Sequence, residues 1–320
     1  MNSNLPLTPF GESIVEYPAF QQAYETLTHF YENTSKKPRA VLLVAPPGAG
    51  KTFLADLFVK DHPPEDSDEM TRVPVVYVEV PPENTLTGLL GDILKTIGDP
   101  LPDSCKIRQR RDRIIKQFKQ QNIRLLIIDE CQDLEPKSGG DAKSKNIRFL
   151  KYIMNATKVP VILTGTLEAK SLLSADAQLR GRIKEVVELS YFNCLNQDNA
   201  LDFADYLDGV LQSYPRKVEG FSFTQVDAEG DLKLKDNINN LIRLNLATDG
   251  CQRLIHDLLE RLLRFTDDDE VITQHHFAEY WHLGGLLEEK LEFNPFNSEI
   301  SLEKVRKEAE HRGLYDRDKF

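Results

Sequence analysis

The sequence predicts an α/β fold with a parallel sheet, followed by an all-helical region. Three observations support this. Short apolar runs alternate with amphipathic stretches up to about residue 190, as strands alternate with crossover helices in α/β proteins. Most of the runs are rich in β-branched residues and bounded by turn residues, which is typical of buried parallel strands. Beyond residue 190 the remaining apolar residues recur at helical spacing.

The predicted elements divide the chain into four parts. Strands are predicted at residues 40–44, 73–80, 125–128, 159–164 and 185–189, and helices at 52–60, 85–97, 196–212, 234–246, 252–265 and 273–283, with a polar loop at 219–231. The parts are a lead-in segment (1–35), an α/β core (36–192), a helical domain (193–291) and a tail (292–320). The tail is charged and has few apolar anchors, so we expect it to fold on a partner.

The composition is that of an ordinary globular protein. The 320 residues are 40% hydrophobic and 28% charged, close to the average for such domains. No stretch of 18 consecutive apolar residues occurs and the first residues do not resemble a signal peptide, so we expect no membrane association. The four cysteines form no C-x-x-C pair, which argues against zinc and disulfides and favours the reducing cytoplasm.

The charge is distributed unevenly along the chain. The net charge of −11 alone would argue against a nucleic-acid partner. Residues 104–151, however, hold 13 Lys and Arg against six Asp and Glu, a local charge of +7. Because a polyanion responds to the local field, this segment keeps nucleic acid among the candidate partners.

A glycine-rich turn separates the first predicted strand from the next predicted helix. Its residues 45–52 match the phosphate-loop pattern G-x-x-x-x-G-K-[ST], except that Ala45 replaces the first glycine. Glycines let backbone N–H groups converge on phosphate oxygens, and a helix N-terminus adds its dipole. Lys51 should reach the β- and γ-phosphates, and the Thr52 hydroxyl should bind Mg²⁺. The expected nucleotide contacts are Pro47, Gly48, Ala49, Gly50, Lys51, Thr52 and Phe53.

Two carboxylates, Asp129 and Glu130, end the third predicted strand. They lie at the tip of a buried strand, where phosphoryl-transfer enzymes arrange in-line attack on a γ-phosphate. Asp129 would hold Mg²⁺ through water, and Glu130 would orient and deprotonate the attacking water. An ordinary acidic strand end is the alternative, and the phosphate loop makes it less favoured.

These motifs resemble those of AAA+ ATPases over roughly residues 10–285. More narrowly, the chain is similar to the TniB/TnsC family of transposon-encoded, ATP-dependent regulators. The shared features are Tyr17-Pro18 before the first helix, Asp-Glu-Cys-Gln-Asp-Leu at 129–134, Leu-Thr-Gly-Thr at 163–166 and Asn-Pro-Phe at 294–296. The resemblance implies an ATPase that uses ATP and Mg²⁺.

The resemblance also implies roles for residues outside the two motifs. AAA+ proteins carry a polar sensor at the end of the fourth strand; the candidates are Thr164 and Thr166, and Thr164 joins the catalytic set. They also supply an arginine to the neighbouring subunit's nucleotide, and here Arg182 is favoured over Arg180. Arg253 is similar to a second sensor that contacts the nucleotide. The alternative for each arginine is a surface position without such a role.

Basic residues form two candidate DNA contacts, which in an AAA+ ring or spiral would line the pore. Lys106, Arg110 and Arg113 share one stripe of a predicted helix, and Lys143, Lys145 and Arg148 follow the acidic pair. Lysine and arginine contacts to phosphates give sequence-independent, salt-sensitive binding. Because other basic residues occupy other faces of the first helix, a solvated surface is the alternative.

Taken together, the motifs lead us to expect an ATPase that oligomerises on double-stranded DNA when ATP is bound. The resemblance implies that it links a target-selecting protein or complex to a transposase. Two alternatives remain open: another AAA+ ATPase, of secretion-associated or replication-initiator type, and a nucleotide-dependent scaffold with negligible turnover. A helicase is disfavoured because no second motor domain follows.

Overall fold

The computed structural model describes residues 15–33, 35–66, 71–134, 145–281 and 291–319. The chain divides into two compact units. Of the described residues, the α/β unit comprises those from 19 to 189, and the helical unit comprises those from 190 onward together with 15–18.

The α/β unit is built on five parallel strands. In chain order, its elements are α1 Pro18–Glu32, β1 Ala40–Val44, α2 Lys51–Asp61, β2 Glu65–Asp66, β3 Thr71–Arg72, β4 Val75–Glu79, α3 Leu86–Thr96, α4 Ile107–Gln120, β5 Leu125–Asp129, α5 Lys145–Thr157, β6 Val161–Gly165, α6 Leu172–Ala175, α7 Ala177–Arg180 and β7 Ile183–Glu188. The main sheet has the order β4-β5-β6-β1-β7, and all its neighbouring strands pair in parallel. The predicted α/β class and its five strands are confirmed.

The central strands are buried because nearly every residue in them is apolar. All five residues of β1, β5 and β6 are buried. Register pairs Leu42 with Leu163 and Leu43 with Thr164, so the carboxyl ends of these strands lie along one edge of the sheet. The phosphate loop and the acidic pair follow those ends, which brings two motifs distant in sequence together.

The helical unit contains, in chain order, α8 Gln197–Gln212, β8 Thr224–Val226, β9 Leu232–Leu234, α9 Asn239–Thr248, α10 Gln252–Phe265, α11 Gln274–Tyr280 and α12 Leu302–His311. The polar loop predicted at 219–231 is wrong in part, because β8 and β9 pair as an antiparallel hairpin. The Asp227 carboxylate shapes its turn by accepting hydrogen bonds from the backbone N–H groups of Glu229 and Asp231. The hairpin extends to Leu234, so the helix predicted from 234 begins only at Asn239.

The prediction of a tail at 292–320 is also wrong for the described residues 291–319. They include α12, whose Val305 and Ala309 are fully buried, and the buried Phe296. Arg243 of α9 holds this segment by donating to the carbonyl oxygens of Pro295 and Ile300. The buried residues are few and separated by charges, which is why the sequence pattern hid them.

In the described part of the chain, no helix combines the length and the apolar character that crossing a bilayer requires.

Candidate nucleotide site

The phosphate loop joins β1 to α2 through backbone conformations that suit glycine. Gly48 and Gly50 have φ angles of +85° and +83°, in the left-handed region that other residues rarely adopt. Gly50 is the N-cap of α2, so the helix starts with its free N–H groups directed toward the loop. Ala45, which replaces the first glycine of the pattern, extends the sheet instead: its N–H donates to the Gly165 carbonyl at 3.0 Å. This extended position does not need a glycine.

Lys51 joins the loop to the acidic pair. Its Nζ lies 2.8 Å from Asp129 Oδ1 and 2.6 Å from Glu130 Oε1. Lys51 is 9% exposed and Asp129 is 2% exposed. Burial lowers the pKa of Lys51, but hydrogen bonds to both carboxylates outweigh burial and raise it overall. The ammonium is therefore held charged at the end of β5.

Asp129 is a buried carboxylate surrounded by donors. Besides Lys51, its oxygens accept from the Thr164 hydroxyl at 2.6 Å and the Tyr77 hydroxyl at 2.8 Å, and from the Glu130 N–H at 2.8 Å. Burial raises the pKa of Asp129, but these hydrogen bonds, first that of Lys51, bring it below its usual value. Asp129 thus keeps its negative charge inside the protein.

The residues present fit Mg²⁺ and a nucleoside triphosphate. Thr52 Oγ1 lies 3.4 Å from Asp129 Oδ2, so a hydroxyl and a carboxylate, both oxygen ligands suited to Mg²⁺, face each other. The two glycines with positive φ leave the loop backbone open, and no described atom lies within 4 Å of the place a Gly50 Cβ would take. Lys51 and the start of α2 supply the positive charge that phosphates require.

The structure adds two residues that the sequence analysis missed. Tyr77 lies on β4, paired with Ile127 of β5. It is the one aromatic residue of that strand, and its hydroxyl was the available sign. Gln132 donates to Glu130 Oε2, and its own Oε1 accepts the Thr166 N–H at 3.0 Å. Gln132 lies in the Asp-Glu-Cys-Gln-Asp-Leu segment that resembles the TniB/TnsC family, but the resemblance gave it no role.

The two sensor candidates differ in placement. Thr164 donates its hydroxyl to Asp129 and is 1% exposed. Among the described residues, the buried Thr166 hydroxyl has no hydrogen-bond partner. Of the predicted contacts, Phe53 is 46% exposed and its ring lies 6.0 Å from that of Phe20.

Arg182 lies at the opposite edge of the sheet from the phosphate loop. Its carbonyl oxygen accepts the N–H of Ala40, the first residue of β1, at 2.8 Å, whereas the loop follows the last residue of β1. The first and last residues of a five-residue strand such as β1 lie roughly 13 Å apart. The Arg182 guanidinium donates to Gln178 O at 3.0 Å and Asn155 Oδ1 at 3.3 Å, while Arg180 is exposed. In the helical unit, Arg253 is exposed in the first turn of α10.

Two of the six predicted DNA contacts are instead used inside the protein. Arg110 is 5% exposed and donates to the carbonyl oxygens of Cys105, Thr87 and Asp103. Arg113 forms an ion pair with the buried Asp99. These two arginines of α4 face the preceding loop because that loop presents carbonyl and carboxylate oxygens. We therefore withdraw Arg110 and Arg113 as DNA contacts.

Three of the other four predicted DNA contacts remain accessible to a partner. The side chains of Lys106, Lys145 and Arg148 are exposed. Lys143 lies outside the described residues.

The sheet order, the phosphate loop after β1, the acidic pair after β5 and the C-terminal helical region define the AAA+ class of P-loop ATPases. Within that class, the chain belongs to the TniB family, because residues 11–192 match the family model described as "Bacterial TniB protein". No curated protein matches the chain.

Several solved structures share the fold. The ORC2 protein of Aeropyrum pernix, in ADPNP–ADP complexes, has a TM-score of 0.58 and 13% identity, covering 88% of this chain and 70% of that one. Cdc6p from Pyrobaculum aerophilum has a TM-score of 0.55 and 17% identity, covering 96% and 85%. The Aeropyrum pernix ORC1 protein in complex with DNA has a TM-score of 0.53 and 14% identity, covering 86% and 67%. At these identities the likeness shows the fold alone.

Proposed function

We propose that this AAA+ protein hydrolyses ATP with Mg²⁺, and that nucleotide occupancy controls its assembly on double-stranded DNA. The observation that carries the first part is the double contact of Lys51 with Asp129 and Glu130, at 2.8 and 2.6 Å. It unites the phosphate loop and the acidic pair in one site, although they are 78 and 79 residues apart in sequence.

Each residue of the site has a distinct role in this proposal. Lys51 releases the two carboxylates and binds phosphate oxygens, which carry more negative charge than the carboxylates. Thr52 and Asp129 hold Mg²⁺, which shields the phosphate charge when it is bound. Glu130 orients the attacking water and accepts its proton. Thr164 keeps Asp129 in place through its hydroxyl.

Glu130→Gln tests the assignment of the base directly. The amide keeps the shape of the side chain but cannot accept the proton, so we expect kcat for ATP to fall about 10²-fold to 10⁴-fold. ATP binding should persist, as measured with a fluorescent ATP analogue. Unchanged turnover in this variant would instead support a scaffold whose nucleotide is not consumed.

The proposal further assigns Arg182 to the nucleotide of a neighbouring subunit. Arg182 is partly exposed and lies one strand length from its own phosphate loop, which supports its assignment to a site on another copy. An arginine there stabilises the negative charge that develops during phosphoryl transfer. Hydrolysis would then require contact between subunits. We place this protein in the cytoplasm. The role of Arg253 as a second sensor stays a prediction.

Membership of the TniB family supports a role in transposition, as the adaptor between a target-selecting factor and a transposase. The exposed Lys145 and Arg148 of α5 and Lys106 of α4 are the remaining described candidates for phosphate contacts. The Arg111 guanidinium on α4 lies 5.8 Å from the ring of Tyr152, which follows Arg148 on α5 by four residues. This adds positive charge and an exposed aromatic ring to the same surface, features common in nucleic-acid contacts.

The DNA proposal is tested by duplex binding with and without a slowly hydrolysed ATP analogue. We expect binding at low salt only with the analogue, and weaker binding as salt rises. Replacing Lys145 and Arg148 with alanine should weaken binding and reduce the salt dependence by about two phosphate contacts. The control replaces the exposed Lys233 and Lys307 of the helical unit. The absence of analogue-dependent binding by the unaltered protein would contradict the proposal.

A replication-initiator type of ATPase is the second candidate, favoured by the likeness in fold to the ORC and Cdc6 structures. Competition with unrelated duplexes separates the two candidates. An initiator should prefer a particular sequence, whereas phosphate contacts alone give no preference. Strong discrimination between duplexes of equal length would favour the initiator.

A further inference from the structure

We propose that Gln132 is a positioning residue that ties the carboxylate of Glu130 to the backbone at the end of β6. The proposal rests on the function proposed above, and it names a residue outside the phosphate loop and the acidic pair. Gln132 lies in the short 3₁₀ helix Cys131–Leu134, directly after β5. Both ends of its side-chain amide are engaged, one with Glu130 and the other with Thr166.

The amide of Gln132 is used in both directions. Its NH₂ group donates to Glu130 Oε2, and its oxygen accepts the Thr166 N–H at 3.0 Å. An aspartate or glutamate could accept but not donate here, and a lysine could donate but not accept. The side chain therefore bridges a carboxylate after β5 and a backbone group after β6.

The neighbouring glycine leaves room for this bridge. A Cβ added at Gly165 would lie 2.5 Å from Gln132 Oε1 and 3.0 Å from Cys131 Sγ. Since atoms do not approach so closely, a side chain at position 165 would push Gln132 away from Thr166. The glycine at position 165 therefore leaves the space that the Gln132 side chain occupies.

The bridge becomes more important once a nucleotide binds. In this structure Glu130 is held by Lys51 through Oε1 and by Gln132 through Oε2. When Lys51 turns to phosphate oxygens, Gln132 remains as the described side chain that fixes the direction of the Glu130 carboxylate. Because Thr166 begins the segment after β6, a shift of that segment would move Gln132 and, through it, the Glu130 carboxylate.

Gln132→Ala removes the bridge while leaving Lys51, Thr52 and Asp129 in place. We expect kcat for ATP to fall about 10-fold to 100-fold, the effect of losing one hydrogen bond to a charged group. The affinity for a fluorescent ATP analogue should change less than about threefold, since Gln132 touches none of the predicted phosphate ligands. Gln121→Ala is the matched control, because it also removes a glutamine in the same unit that is bonded to the backbone, in this case by donating to the Ile97 carbonyl.

A double-mutant cycle separates positioning from general damage to the fold. If Gln132 acts through Glu130, its removal from the Glu130→Gln variant should change the remaining turnover less than about twofold. Turnover at this level can be followed with radiolabelled ATP. Equal kcat in Gln132→Ala and the unaltered protein, or losses that multiply in the double variant, would overturn the proposal.

Hydrogen exchange tests the bridge without any turnover. Removal of Gln132 should speed exchange of the Thr166 N–H about tenfold or more, because its acceptor is lost. Glu130→Ala should also speed it, since Gln132 is then free to rotate. If the unaltered protein hydrolyses no ATP, the proposed function fails while exchange still decides on the bridge. Unchanged Thr166 exchange in both variants would refute it.

Discussion

Asp129 shows how single residues determine the chemistry of the site. Its carboxylate is 2% exposed, and Lys51, Tyr77, Thr164 and the Glu130 N–H all donate to it. Leaving a buried carboxylate without donors would cost several kcal/mol. The donors therefore allow a charged group to stay where Mg²⁺ would be needed.

The lowered pKa of Asp129 predicts how stability depends on pH. A carboxyl group whose pKa is lower in the folded state stabilises the fold above its unfolded pKa of about 4. That contribution is lost as the pH falls through the folded value. We expect the difference in unfolding free energy between the unaltered protein and Asp129→Asn to be constant near neutral pH and to shrink below about pH 4. Urea unfolding at a series of pH values measures it, and a gap undiminished at pH 3 would contradict the prediction.

Tyr77→Phe isolates the hydroxyl that Asp129 accepts. Removing it leaves one Asp129 oxygen with fewer donors, so we expect a loss of about 1–2 kcal/mol in unfolding free energy. Mg²⁺-dependent nucleotide affinity should fall as well, because Oδ2 is the oxygen that faces Thr52. Tyr152→Phe, at a ring that is 42% exposed, is the control. Equal stability of the two variants would show that the Tyr77 hydroxyl is dispensable.

The elements of the helical unit depend on one sharp turn between α9 and α10. Asp249 and Gly250 both have positive φ, +48° and +67°. The Gly250 N–H donates to Asn245 O, and its carbonyl accepts the Phe192 N–H at 3.0 Å. A Cβ at Gly250 would overlap the Phe192 carbonyl oxygen. Glycine is therefore required here for its conformation and for the close approach of a second backbone segment.

Gly250→Ala should destabilise the protein more than an equivalent change elsewhere. Gly313 provides the comparison: its φ is +69°, but no described atom lies within 4 Å of an added Cβ. We expect Gly313→Ala to cost about 1–2 kcal/mol from backbone strain alone. The additional overlap at Gly250 should raise the cost by at least another 1–3 kcal/mol. Chemical denaturation of both variants tests this, and equal losses would show that the turn relaxes freely.

Elements with strong apolar periodicity could be predicted, because burial of one face or of a whole run is recorded directly in the sequence. Helix α10 matches its predicted bounds, residues 252–265. The β8–β9 hairpin was missed because its strands are short and have no buried residue. Helix α12 was missed because its burial depends on isolated residues such as Val305.

The same limit applies to the site. Lys51, Thr52 and Asp129 could be predicted because a local pattern of fixed spacing contains them. Tyr77 and Gln132 could not, since their roles follow from which strands are neighbours. Arg110 was wrongly predicted to contact DNA, because a helical stripe of basic residues does not reveal whether it faces solvent or a carbonyl-rich loop.

At the scale of the whole molecule, the proposed site is divided between two copies of the chain. Glu130 and Arg182 would then belong to different subunits at each active site. We predict that Glu130→Gln and Arg182→Ala, each inactive alone, regain ATPase activity when mixed, because a mixed contact can join an intact Glu130 to an intact Arg182. Mixing Glu130→Gln with Lys51→Ala should not help, since both changes damage the same half. No recovery in the first mixture would exclude Arg182 as the residue acting across the contact.

The placement of Arg182 and the phosphate loop at opposite ends of β1 gives each subunit a direction. If the proposed contact joins Arg182 of one copy to the phosphate loop of the next in head-to-tail order, it is heterologous. An open chain built from such contacts would have one terminal copy whose nucleotide lacks an arginine and another whose arginine faces solvent. The two ends would lose subunits at different rates, and growth along DNA would have a defined polarity.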